Sequence, residues 1–259
     1  MILQFDDKAV RHLEVTYSSP EVAAQRRILL GAVAAEFGEK SLDIGCGPGF
    51  VTEELARAVG SAGIVEAIDN SESSLAAAKQ RCARFQNVHF QQAEAEQLPY
   101  PDSFFDLAIS TQVYEFVPDV KKALSELHRV LRPGGRAAII DTDWNTIVWH
   151  SANMARMGRI VKAWEEHLAH PALPRMLNVL LREAGFSVRE CKVITYLDTE
   201  YKPESYSYNM SKTIGRFARD RQGIKKEETE AWSAELQDLA KNGAYFFNLS
   251  RYLFIAEKL

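Results

Sequence analysis

Cysteine is scarce. Cys46, Cys82 and Cys191 are the only three in 259 residues, and no two have the spacing of a zinc knuckle or a C-x-x-C redox pair. That excludes a disulfide scaffold, points to reduced thiols in a cytoplasmic protein, and gives no reason to expect a metal. Long apolar runs are missing as well. No stretch approaches the roughly 20 apolar residues of a membrane span. The opening "MILQFDDKAV" is acidic and lacks the apolar run of a secretory leader. Nor is there an excess of positive charge: 31 Lys and Arg against 35 Asp and Glu give a formal net charge of −4. A nucleic-acid partner usually demands a basic face, so none is expected. Repeats, low-complexity linkers and a G-x-x-x-x-G-K-[ST] phosphate loop are all absent.

What is present is an alternation of strands and helices. Residues 1–40 read as a helical lid. In "PEVAAQRRILLGAVAAEF" the residues Val22, Ile28, Leu29, Val33 and Phe37 fall near one face, with Pro20 at the start. "KSLDI", "IVEAID", "VHFQQA", "FDLAIS" and "RAAIID" read as five strands. "VTEELARAV", "ESSLAAAKQRC" and "VKKALSELHRVL" read as the helices between them, and "RPGG" as a turn. Strands spaced by helices predict right-handed βαβ units and a parallel sheet. Beyond Asp141, residues 144–184 read as helical, "VRECKVITYLD" as a strand, 203–242 as a helical insertion and "YFFNLSRYLFIAEKL" as a closing strand. The chain thus divides into a lid at 1–40 and an α/β domain at 41–259 that carries the insertion.

The first strand runs into "LDIGCGPG". A dinucleotide loop needs G-x-G-x-x-G at this turn. Gly45 and Gly47 fit, but Phe50 occupies the next required position and the third glycine falls at 49. Asp43 would also oppose a phosphate at the helix N-terminus. The ligand should therefore lie close to the backbone, lack phosphate and be partly cationic. S-adenosylmethionine, with its sulfonium and ammonium, meets all three conditions. Asp69 ends the second strand about 20 residues past the glycines, where an acid can take both hydroxyls of a ribose.

Taken in order, "LDIGCGPG", "IDNS", "AEAEQLPYPDSFFDLAIS" and "ALSELHRVLRPGGRAAIID" resemble the motifs of the class I S-adenosylmethionine-dependent methyltransferases, in their UbiE-like small-molecule branch. The resemblance covers about residues 40–143. It implies a Rossmann-like α/β fold with a seven-stranded sheet, mostly parallel with the last strand antiparallel, and "LREAGF" fits the helix before the sixth strand. It also implies site roles. Asp43, Gly45 and Gly47 would hold the methionine moiety, Asp69 the ribose, and Asn70 would lie beside the adenosine. Glu94, where the family more often has Asp, and Ala95 would meet the adenine. Thr111 and Gln112 would line the cofactor near the sulfonium. Tyr17 and Arg26 are candidates to close the lid, with Arg26 able to pair with the cofactor carboxylate.

Methyl transfer is an in-line displacement that alignment and proximity can accelerate without a catalytic dyad. The acceptor should bind outside the carboxyl ends of the strands, and a small organic molecule is expected. Related sequences often carry histidine where this chain has Glu115. Glu115 and His150 are the candidate orienting or basic groups, and the aromatics Trp144, Trp149, Trp164, Tyr201, Tyr206, Tyr208 and Phe217 are candidate pocket walls. A base-flipping amino methyltransferase would carry N/D-P-P-Y/F where this chain reads "STQVY". The competing reading is a non-catalytic cofactor-binding or regulatory protein on the same fold.

Overall fold

The structure, a computed structural model, describes residues 7–259; the first six residues of the lid, and with them most of the opening stretch read for a leader, lie outside the described residues. Two helices come first, α1 (Asp7–Tyr17) and α2 (Pro20–Val33). Ser19 caps α2 by accepting the Val22 N–H, with Pro20 at the first helical position. The inward face of α2 is Val22, Gln25, Leu29 and Val33. Ile28 and Phe37, expected on that face, are exposed. The helix stops at Val33 because Ala34 turns left-handed (φ 45°), so Phe37 lies beyond it.

The core then alternates β1 (Lys40–Ile44), α3 (Phe50–Val59), β2 (Ile64–Asp69), α4 (Glu72–Arg81), β3 (Val88–Gln92), β4 (Phe105–Thr111), α5 (Val120–Val130) and β5 (Leu131–Trp149). After it come α6 (Met154–Trp164), α7 (Pro174–Glu183), β6 (Phe186–Asp198), α8 (Tyr206–Ala218), α9 (Lys226–Lys241) and β7 (Phe247–Lys258). The strands form one seven-stranded sheet in the order β3-β2-β1-β4-β5-β7-β6. β7 runs antiparallel to both its neighbours and every other pairing is parallel. This is the expected Rossmann-like sheet.

Two boundaries differ from the sequence reading. Leu131 already pairs with Phe105, and Arg136 pairs with Leu107, so "RPGG" loops out within β5 instead of preceding it. β5 also continues through residues 144–149, which were expected to be helical; it does so because β7 is long enough to pair with Val148 and Trp149. Apolar clusters cover both faces of the sheet. Helices α2, α3, α6, α8 and α9 pack on one face, with α5 and α7 on the other. The helices of 203–242 therefore complete the same core as the lid helix α2.

Candidate active site

The glycine loop sits where β1 passes into α3. Leu42 and Ile44 point into the core under α5 and α7, so Asp43 points to the α3 side. There it is 1% exposed and accepts the Thr52 hydroxyl at 2.6 Å. Burial pushes its carboxyl up to about 7, against the opposing pull of the Thr52 hydrogen bond. Asp43 thus ties strand to helix behind the loop as well as lying beside the predicted methionine site.

Two glycines explain the loop's shape. Gly45 has φ 67°, and a Cβ there would lie 2.3 Å from a methyl of Val113. Gly49, the early third glycine, starts α3 with φ 80°, and a Cβ would lie 2.9 Å from the Ala78 Cα of α4. Its place is set by the close approach of the two helices.

Asp69 ends β2 and reaches across to this loop. Its carboxylate accepts the Gly47 N–H at 2.8 Å and the Ser71 N–H at 2.9 Å. Burial raises its pKa, and those two backbone hydrogen bonds oppose the rise. Beside it Asn70 donates to Glu94 at 3.5 Å, so the ends of β2 and β3 form one polar rim. Glu94 and Asn70 are exposed there, while Ala95 is buried just below. At the end of β4, Thr111 is half-buried and Gln112 is left-handed (φ 57°). Its N–H donates to the Ile140 carbonyl at 2.6 Å and its side chain to the Thr142 hydroxyl at 3.4 Å. A left-handed non-glycine residue costs energy and marks a turn that the surroundings enforce.

The end of helix α1 lies against the loop. A Cβ on Gly47 would stand 3.9 Å from the Tyr17 ring. Burial pushes the Tyr17 phenol up to about 12, and it feels the charges of Arg251, Glu115 and Asp69 together. Arg26 donates to the Tyr17 carbonyl at 2.6 Å and lies over the Phe50 ring. It fixes the end of α1, and so the tyrosine.

Just after β4, Glu115 is fully buried in a short 3-10 turn, Tyr114–Phe116. It accepts the Thr142 N–H at 2.8 Å and the Trp144 indole N–H at 3.2 Å. Burial pushes it up to about 7 while those donors and Arg251 oppose the rise. Asp141, also buried, accepts the Glu115 N–H at 3.4 Å, and burial beside that second carboxyl raises its pKa strongly. His150 is not brought to this cluster. It is exposed at the far end of β5, and its N–H bonds the Phe246 carbonyl. Trp144, Trp149, Trp164, Tyr206 and Phe217 are buried in the core, with Trp149 packed on Trp232 and Trp164 on Phe217; Tyr201 and Tyr208 pack together. Among the described residues, no group of three or more His, Cys, Asp or Glu could hold a metal ion.

One residue of this region was not anticipated. On β7 the side chains of Phe247, Leu249, Leu253 and Ile255 line one face of the sheet, and Arg251 stands in the middle of that row, 1% exposed. The alternation "FNLSRYLFI" carries the signal, since an arginine at an inward position of an apolar strand needs a reason.

The residues present fit S-adenosylmethionine. A glycine loop open beside Gly47, a strand-end carboxylate suited to ribose hydroxyls and a polar rim lie together at the carboxyl ends of β1, β2 and β3.

Residues 42–139 match the family described as "Methyltransferase domain". The demethylmenaquinone methyltransferase of Staphylococcus epidermidis is 36% identical over 122 residues, which is 47% of this chain and 51% of that protein. An uncharacterised 37.1 kDa transposon protein of Streptomyces fradiae is 30% identical over 191 residues, 72% of this chain and 54% of that one. The chain therefore spans about half the length of the curated relatives it matches. In fold it resembles phosphoethanolamine N-methyltransferase 2 of Haemonchus contortus, solved with phosphomonomethylethanolamine and S-adenosylhomocysteine. The TM-score is 0.65 at 19% identity, covering 98% of this chain and 58% of that one. Residues 42–139 thus carry a methyltransferase domain similar to the UbiE-like members of the class I S-adenosylmethionine-dependent methyltransferases, and the chain shares the fold of solved methyltransferases.

Proposed function

We propose that the protein transfers a methyl group from S-adenosylmethionine to a small organic acceptor. The observation that carries this reading is the Asp69 carboxylate bonded to the Gly47 N–H, which joins the ribose-binding acid to the glycine cradle. The cofactor, when bound, supplies a methyl group already activated on a sulfonium. Asp69 would bind and orient the ribose, with Asn70, Glu94 and Ala95 around the base. Gly45, Gly47, Asp43, Thr111 and Gln112 would shape the methionine end. Tyr17, held by Arg26, excludes water from the loop. Glu115, with a pKa near neutrality and pinned to β5, holds or releases a proton on the acceptor side and keeps the wall in place. Acceleration then rests on alignment and exclusion of water more than on a strong base.

The three unpaired cysteines support a reducing, cytoplasmic setting for this reading. Among the described residues no helix is long and apolar enough to cross a membrane. The test is incubation of the protein with S-adenosylmethionine and a panel of small acids, phenols and amines, read by mass spectrometry. Enzyme-dependent S-adenosylhomocysteine together with one acceptor heavier by a methyl group supports the reading. Cofactor binding with no transfer to any acceptor would favour a regulatory role.

A further inference from the structure

Arg251 is the most buried cation described in the protein, and its surroundings treat it unequally. One terminal nitrogen donates to the side-chain amide oxygen of Gln25 at 2.9 Å and to the Tyr196 hydroxyl at 2.7 Å. The other donates to the Tyr206 hydroxyl at 2.9 Å. The guanidinium also lies over both tyrosine rings, 4.7 and 5.0 Å from their centroids. Its Nε is buried and has no partner. Arginine does not lose its charge in proteins, and a buried charge without a counter-ion is costly. No carboxylate among the described residues forms an ion pair with it. Glu115, the acid whose charge it feels, gives its oxygens to the Thr142 and Trp144 N–H groups instead.

Its place in the fold is equally specific. In the sheet Arg251 lies opposite Thr142 of β5, the residue whose N–H holds Glu115. Its three clamps come from the lid helix α2 (Gln25), the strand β6 (Tyr196) and the insertion helix α8 (Tyr206). Lid, insertion and sheet therefore converge on one guanidinium. Tyr17, which covers Gly47, feels its charge, so the same tyrosine links the glycine cradle to this cluster. β7 lies beyond β5 from β4, so Arg251 stands beside the end of β5, the part of the sheet that the methyltransferase reading gives to the acceptor. The Tyr206 hydroxyl accepts from Arg251 and keeps its own proton to donate.

We propose that Arg251 determines acceptor specificity: its unspent Nε–H and the Tyr206 hydroxyl bind an anionic oxygen group of the acceptor, a carboxylate, phenolate or phosphate. This rests on the methyltransferase reading and names its substrate class. A planar guanidinium with parallel donors suits such groups, and a charge-assisted hydrogen bond in a dry site is strong. A neutral acceptor would leave the cation uncompensated.

The test uses the full chain saturated with S-adenosylhomocysteine at pH 8, titrated calorimetrically with benzoate, 4-nitrophenolate, phenyl phosphate and neutral benzamide. The expected result is that at least one anion binds tenfold or more tightly than benzamide, and the tightest identifies the group. Arg251→Met should abolish that preference and Arg251→Lys should keep part of it, both with S-adenosylhomocysteine affinity within a few-fold of wild type. Equal binding of benzamide and the anions by the wild-type protein overturns the proposal, whether or not the variants fold. So does a preference that survives Arg251→Met. If Arg251→Met weakens S-adenosylhomocysteine tenfold but leaves 5′-methylthioadenosine unchanged, the arginine serves the cofactor carboxylate and the proposal is wrong. Wild-type protein that does not bind S-adenosylhomocysteine at all sinks the methyltransferase reading and this inference with it. Binding of the cofactor product without anion preference sinks only this inference.

Discussion

Asp43 shows what burial does to a single carboxyl. In the unfolded chain it ionises near 3.8, and in the folded protein near 7. Between those values the native state holds a proton that the unfolded state has lost. Its contribution to stability therefore falls as pH rises from about 4 to about 7 and is flat above that. Asp43→Asn keeps an acceptor for the Thr52 hydroxyl and removes the charge. Urea midpoints at pH 5 and pH 8 should show the variant gaining on wild type at the higher pH, by on the order of 2–4 kcal/mol. If Asp43 also serves the cationic cofactor, the same variant binds S-adenosylmethionine more weakly while being more stable. Glu115 makes a second case. Glutamine can accept at only one of the two N–H donors that Glu115 satisfies, so Glu115→Gln should lower turnover at least about tenfold and leave cofactor affinity nearly unchanged; full turnover would remove Glu115 from the acceptor side. The cofactor residues were legible because glycines at an αL turn and an acid at a strand end follow from local geometry. Arg251 was not, because its partners Gln25, Tyr196 and Tyr206 are scattered along the chain and only the folded sheet brings them together. His150 was misplaced for the converse reason: its nearness in sequence to Asp141 is undone by a strand that runs on to Trp149.

Secondary structure follows the sequence pattern wherever burial is local. β1, β2, β4 and the helices between them have the expected bounds to within a residue or two, because apolar period and caps agree. The extension of β5 was hidden because residues 144–149 become a strand only when a distant strand, β7, offers a partner. Helix α2 is built into the core, whereas helix α1 is tied to the glycine-loop side of it through Arg81. Arg81 of α4 pairs with Glu14 of α1 at 2.9 Å, donates to the Pro48 carbonyl at 2.8 Å and stacks on the Phe50 ring. Arg81→Ala cuts all three contacts and leaves the sheet untouched. Hydrogen exchange should then show α1 amides exchanging about tenfold faster or more, with β1 and β4 amides unchanged. Equal protection in α1 would mean that its other contacts, with α2 and α8, hold it closed.

For the molecule as a whole, the question is which ligand the glycine loop accepts. A pyrophosphate cofactor is opposed by Phe50 at the position of the missing glycine and by Asp43 behind the loop. A cationic nucleoside cofactor is favoured by the same acid and by Asp69. One calorimetric experiment separates the two: titration of the wild-type chain and Asp69→Ala with S-adenosylmethionine and with NAD. The expected result is one S-adenosylmethionine bound per chain, no measurable NAD binding, and a loss of roughly 2–4 kcal/mol of affinity in the variant, because two charge-assisted hydrogen bonds to the ribose disappear. Micromolar binding of NAD, or S-adenosylmethionine affinity unchanged in Asp69→Ala, would mean that the glycine loop and Asp69 do not hold this cofactor.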